Sequence, residues 1–179
     1  FDGVYMNADV WLNGHYLGHH SYGYIGFRFD ITPYVRTDTI NMLAVRTDCS
    51  QLPTDRWYSG AGIYRHVKLI ATNKVHFPDH GLKITTQKTE STSHLIRTTQ
   101  SVINNTKKTK RVKLQFDLLD NEGKLVASKV TSRALKKMST TTIHENFIVE
   151  NPVLWSPSQP EQYSLNATIN HNRQVIDNT

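Results

Sequence analysis

Residues 112–131 read VKLQFDLLDNEGKLVASKVT, and this stretch decides the fold. Val112, Leu114, Phe116 and Leu118 alternate with polar or charged neighbours, the period of a strand with one buried face. The following DNEG, Asp120 to Gly123, is turn chemistry. Asp and Asn hydrogen-bond their own backbone there, and Gly accepts a positive φ. A second extended run covers 124–131. Strand, turn and strand in such a short space read as antiparallel β-structure.

Working outward, the same signal recurs and helical periodicity does not. Extended runs are expected at 82–87, 94–103, 111–119, 140–149 and 162–170, with Tyr163, Leu165, Ala167 and Ile169 sharing a face. RALKKMS (133–139) could form a single helical turn. Short strands separated by turn signals suggest a β-sandwich of immunoglobulin-like type. Towards the N-terminus, VWLNGHYL (10–17) places Asn13-Gly14 between two apolar runs, the strongest short-range hairpin signal. YIGFRFDI (24–31) alternates, with Ile25, Phe27 and Phe29 on one side. DITPYV (30–35) reads as one turn of helix, INMLAVRT (40–47) as a strand. GIYRHVKLIA (62–71) reads as a strand with Ile63, Val67 and Leu69 on one face and Arg65 of the same inward parity. TNKVHFPDHG (72–81) is polar and carries Pro and Gly, as a domain boundary does. The expectation is an all-β chain of two domains, 1–74 and 75–179.

Composition is that of a globular protein: 37% of the 179 residues are hydrophobic. No run approaches the roughly 18 to 20 apolar residues that cross a bilayer, so no membrane role is expected. Cys49 is the single cysteine, so no internal disulfide can form and the redox compartment stays open. The chain begins at Phe1, which suggests a processed protein or a piece of a longer one. Two glycosylation sequons, at Asn104 and Asn166, are short enough to arise by chance. The net charge of +6 is concentrated late, densest in KKTKRVK (107–113). Phosphate neutralisation would need such a cluster. Without interleaved stacking aromatics it reads instead as a solvated hairpin end, and no nucleic-acid partner is expected.

Several motifs carry a resemblance. FDGVYMNADVWLNGHYLGHHSYGYIGFRFDITPYV (1–35), NMLAVRTD (41–48) and RWYSGAGIYRHVKL (56–69) are similar to glycoside hydrolase family 2, the β-galactosidase and β-glucuronidase family. They correspond to the second half of its sugar-binding jelly roll, a galactose-binding-like fold. ENPVLWSPSQPEQYSL (150–165) resembles the close of the family's next domain, an immunoglobulin-like sandwich. The loop DRWYSGAGIYR looks most like the β-galactosidase branch. The resemblance implies a partial jelly roll followed by a sandwich that lacks its last strand. It also implies a catalytic (β/α)₈ barrel later in the same polypeptide, and a cytoplasmic, periplasmic or secreted bacterial protein.

Retaining glycosidases work with two carboxylates about 5 Å apart. In this family both stand on the barrel, the acid/base glutamate directly after an asparagine. The one Asn-Glu pair here, Asn121-Glu122, lies inside the DNEG turn, so no catalytic residue and no cofactor is expected in this chain. The residues implied for β-galactoside binding are Asp55 and Arg56, which would hydrogen-bond sugar hydroxyls, and Trp57, which would stack on a pyranose face. Alternatively, Trp57 and Tyr58 pin their loop, and Arg65 is a buried ion-pair partner.

GHHSYGYIG (18–26) is a second candidate, but His19 and His20 are adjacent on a strand and point to opposite faces, a poor start for one metal site. In the best-known β-galactosidases this loop supplies an aspartate to the substrate and a sodium ion. Counting back from Phe29-Asp30, the position falls near Tyr22, with no acid, which implies a different subsite. Trp155, between prolines, is expected to pack where the sandwich meets the barrel. Two other functions fit the residues: a carbohydrate-binding module and an adhesin-like scaffold. A cut-out of this kind should expose unpaired edges and self-associate.

Overall fold

The computed structural model of the chain describes residues 1–50, 60–89 and 92–179. Every element among them is β, with no helix. The chain divides into two compact units, Phe1–Ile70 and Ala71–Thr179.

The first unit is built on the hairpin of β2 (Ala8–Leu12) and β3 (His15–His20), with β4 (Leu43–Arg46) on the other edge of β2. Asn13 and Gly14 turn the chain with φ of 53° and 84°, as a two-residue hairpin requires. Asn13 also ties in the start of β4. Its Nδ2 donates to Tyr34 O at 2.9 Å and Asn41 Oδ1 at 2.8 Å, and its Oδ1 accepts from Met42 N at 2.9 Å. β1 (Val4–Tyr5) pairs with β5 (Gly62–Ile63). Val4, Ala8, Val10 and Leu12 are buried in this unit. The expected turn in DITPYV is present: Tyr34 N and Val35 N both donate to Ile31 O, at 2.9 and 3.0 Å.

Two expected strands are much shorter than their alternation suggests. In 24–31, Phe1 and Phe27 exchange N–H···O bonds of 3.0 Å and stack their rings at 4.9 Å, but no strand forms. In 62–71 only Gly62 and Ile63 pair, and Val67 and Leu69 stay exposed, Leu69 at 78%. Arg65 is exposed as well, which corrects its reading as a buried ion-pair partner. Alternation states which side chains share a face. It does not supply the neighbouring strand that would cover them, and among the described residues β1 offers only two positions.

The second unit is a sandwich of two sheets. One has the order β10-β9-β12-β13; in the other β8 pairs with β11 on one edge and with β6 and β7 on the other. The strands are β6 (Val75–His76), β7 (Leu82–Lys88), β8 (His94–Asn104), β9 (Lys110–Leu119), β10 (Leu125–Leu135), β11 (Ser139–Val149), β12 (Ser164–His171) and β13 (Gln174–Asn178). Val112, Leu114, Phe116 and Leu118 of β9 meet Ile96, Val102, Ile143 and Phe147 of the other sheet in one core. RALKKMS forms no helical turn: β10 runs to Leu135, and Met138, at φ 48°, turns the chain into β11. β13 lies beyond the last expected strand. Asn172 and Arg173, with φ of 50° and 65°, turn the chain back along β12.

Candidate functional site

Asp55, Arg56, Trp57 and Tyr58 lie outside the described residues, so the structure speaks to their frame and not to them. Both ends of their loop are tied to one short segment, Val4–Asn7. On the N-terminal side, Asp48 N donates to Met6 O at 3.1 Å and Asn7 Nδ2 donates to Asp48 O at 3.1 Å. Cys49 Sγ sits 3.6 Å from Tyr5 O. On the C-terminal side, Gly62 pairs with Tyr5 and Ile63 with Val4. Residues 48–49 and 62–63 are therefore both held by Val4–Asn7.

The same segment holds the second candidate loop. Asn7, at φ 48°, donates its N–H to Ser21 O at 3.1 Å, so one asparagine bridges residues 21 and 48. Gly23 lies against the Tyr5 ring so closely that an added Cβ would fall 2.3 Å from it, and only glycine fits. Tyr64 Oη donates to Gly23 O at 2.8 Å. Tyr22 and Tyr24 flank that glycine with exposed rings, and Tyr24 meets Tyr5 edge-on at 5.4 Å. The structure thus brings the base of 49–61 and the loop 18–26 to one place. Exposed tyrosines there offer the apolar faces and hydroxyls that sugar rings bind. Asn7 and Tyr5 carry this arrangement, and sequence reasoning missed both. The one available signal was Asn7 itself, a residue type that tolerates a left-handed turn.

Two carboxylates stand nearby, each held below its ordinary range by hydrogen bonds. Asp48 Oδ1 accepts from Ser50 Oγ at 2.6 Å and Ser50 N at 2.9 Å, which stabilises the anion. Asp9 Oδ1 lies 3.0 Å from His19 Nδ1 and accepts from Tyr16 Oη at 2.9 Å, and both lower its pKa. Arg46 adds a contact of 3.5 Å to Asp9 Oδ2. His20 faces the other way and stacks on Phe27 at 4.4 Å, so the two histidines are on opposite faces, as alternation requires. No group of three or more His, Cys, Asp or Glu converges among the described residues.

Glu122 sits in the β9–β10 turn, where its N–H donates to Asp120 Oδ1 at 3.0 Å and its side chain is exposed. That is the turn chemistry expected of DNEG. Trp155 is 59% exposed, with Val153 and Leu154 beside it also exposed.

Comparison with known proteins adds the following. Residues 1–73 match the family model described as glycosyl hydrolases family 2, sugar binding domain. Residues 75–179 match that of glycosyl hydrolases family 2. A β-galactosidase of Bacteroides ovatus is 36% identical over 177 residues, covering 99% of this chain and 21% of that protein. A β-glucuronidase of Formosa agariphila is 28% identical over 200 residues, covering 99% of this chain and 20% of that protein. The crystal structure of a glycosyl hydrolase family 2 member from Bacteroides cellulosilyticus superposes with a TM-score of 0.91 at 35% identity, over 100% of this chain and 24% of that one. The chain spans about a fifth of the length of these two relatives.

Proposed function

This chain belongs to glycosyl hydrolases family 2, and from that premise we propose that it is a non-catalytic portion of a retaining β-galactosidase. In this reading 1–74 is part of a sugar-binding jelly roll and 75–179 an immunoglobulin-like sandwich. Both support a catalytic barrel carried elsewhere on the same polypeptide. The observation that carries the reading is the shared clamp at Val4–Asn7. It sets the base of the loop holding Asp55, Arg56 and Trp57 beside the exposed rings of Tyr22 and Tyr24. A loop fixed at both flanks by hydrogen bonds, with polar and aromatic residues in its sequence, suits a wall that borders a sugar site. A wall of that kind confers orientation, while the two carboxylates come from the barrel.

The test is to compare the parent polypeptide with the 179-residue chain on aryl β-galactosides and aryl β-glucuronides. The parent is expected to turn over the galactoside and the isolated chain neither substrate. Trp57→Ala in the parent should raise KM about tenfold, the loss of one ring-stacking contact. Turnover by the isolated chain that vanishes on mutating one of its own carboxylates would overturn the non-catalytic assignment. A parent that prefers the glucuronide would overturn the galactoside.

The exposed apolar side chains fit the same reading. Ile40, Met42, Leu69 and Ile70 in the first unit and Leu154 and Trp155 in the second are surfaces that the rest of the parent would cover. Left uncovered, they make the isolated chain self-associate. Light scattering should show a mass that rises with concentration, and a monodisperse monomer at 100 μM, about the upper range of such work, would contradict it.

A further inference from the structure

One end of the second unit gathers lysines that the glycosidase reading does not use. Three segments meet there: the lead into β6, the β8–β9 loop and the β10–β11 turn. Asn105 N donates to Lys74 O at 2.7 Å, and Met138 N donates to Thr106 O at 3.2 Å. Asn104, fully buried at the end of β8, locks the rest. Its Nδ2 lies 3.0 Å from Lys108 O, Leu135 O and Lys136 O, and its Oδ1 accepts from Thr106 N at 3.0 Å and Thr106 Oγ1 at 2.7 Å. The result is a hollow lined by Lys74, Lys107, Lys108, Lys110, Asn105 and Met138, with Thr106. Lys136 and Lys137 precede Met138 in the same turn. No carboxylate lines the hollow, and among the described residues none of these lysines has an ion-pair partner.

We propose that this hollow binds an anionic glycan, a chain bearing carboxylate or sulfate groups. The inference rests on the reading of the parent as a glycosidase. Lysines from two segments, Lys74 on one side and Lys107, Lys108 and Lys110 on the other, line it with no carboxylate to balance their charge, and a polyanion would neutralise them. The lining chemistry selects the kind of polyanion. The wall is almost wholly apolar: Met138 and the lysine stems offer contact for the C–H face of a sugar ring, and the ammonium groups those stems carry would meet the charges. No aromatic residue lines the hollow, so it lacks the stacking platforms that single-stranded nucleic acids use.

The test measures binding of the 179-residue chain to a polyuronate, a sulfated galactan, a neutral β-galactan and duplex DNA at one fixed salt concentration. Lys107→Glu with Lys108→Glu is compared with Lys88→Glu with Lys124→Glu. The second pair makes the same change in net charge at the opposite end of the strands. The wild-type chain should bind one or both anionic glycans and not the neutral one, and which it binds tells carboxylate from sulfate. The first double variant should weaken binding about tenfold or more, and the second less than about twofold. Equal weakening by both variants would mean that net charge alone is responsible, and the proposal fails. It fails also if the neutral galactan binds as well, if DNA binds more tightly than either glycan, or if nothing binds. Affinity is read without hydrolysis, so this outcome and that of the glycosidase test are independent. Circular dichroism on both double variants checks that the sandwich is intact.

Discussion

Phe116→Ala is expected to destabilise the second unit by about 4 kcal/mol, the range for emptying the site of a large core aromatic. Phe116 is 1% exposed at the middle of β9. That strand lies between β10 and β12, and Phe116 pairs across to Lys129 on one side and Ala167 on the other. Strands on both edges hold the backbone, so it cannot collapse into the vacated volume. The aligned β12 neighbour, Ala167, is itself fully buried and too small to fill it. With roughly 4 °C of Tm per kcal/mol for a unit of this size, the melting transition should fall by about 15 °C. Phe116→Leu, which keeps most of the volume, should cost about a third as much. Urea titration followed by far-ultraviolet circular dichroism checks both. A loss below about 1 kcal/mol for the alanine variant would mean that Phe116 is not at the centre of the sandwich.

Asn104→Leu should cost about 3 kcal/mol or more, although it replaces a buried polar residue by an apolar one of similar size. The asparagine is an organising centre. Removing it leaves the carbonyls of Lys108, Leu135 and Lys136 and the N–H of Thr106 without the partner they have now. The bond to Leu135 O is the buried one, and its loss carries the full desolvation cost; water can reach part of the others. Thr106→Val removes only the hydroxyl that bonds Asn104 Oδ1 and Lys108 O, and should cost about 1 kcal/mol. Hydrogen exchange separates the asparagine's effect from a general loss of packing. In Asn104→Leu the amides of Asn105 and Met138 should lose protection before those in the middle of β8. Uniform loss across the unit, or stability unchanged from wild type, would refute the assignment. Complete burial also closes Asn104 to glycosylation in the folded state, whatever its sequon suggests.

The strands of the second unit were legible because each rests on a local rule. Side chains two apart share a face, and a half-buried sheet needs one face apolar, so the alternation in 112–118 and 163–169 announced β9 and β12 directly. Asn13-Gly14 announced its hairpin because few other residues take positive φ twice in succession. β13 was missed because Gln174–Asn178 has no clean alternation and its turn, Asn172-Arg173, contains no glycine. β6 was missed because two residues are too few to show any period. The opposite error occurred at 62–71, where good alternation met a neighbour only as far as His66, whose carbonyl accepts from Asp2 N, and Val67 and Leu69 stay exposed.

The candidate site divides along the same line. The aromatic and charged composition of 55–58 marked that loop as one to watch, but its clamp at Val4–Asn7 consists of backbone and side-chain-to-backbone bonds between residues more than forty apart. Asn7 reads as an ordinary polar residue until Ser21 O and Asp48 O are both within its reach. The lysines of 107–113 were visible as a run, yet Lys74 and Met138 join them only through the meeting of three segments at one end of the sandwich. By itself, the sequence determined the β class, most strand positions, the turns at Asn13-Gly14 and Asp120–Gly123 and the family, since these depend on residue type and short-range spacing. The tertiary structure alone decided which faces are covered, which asparagines organise loops and which lysines converge. Those are matters of long-range pairing, where the energy belongs to contacts between distant residues and leaves no periodic trace along the chain.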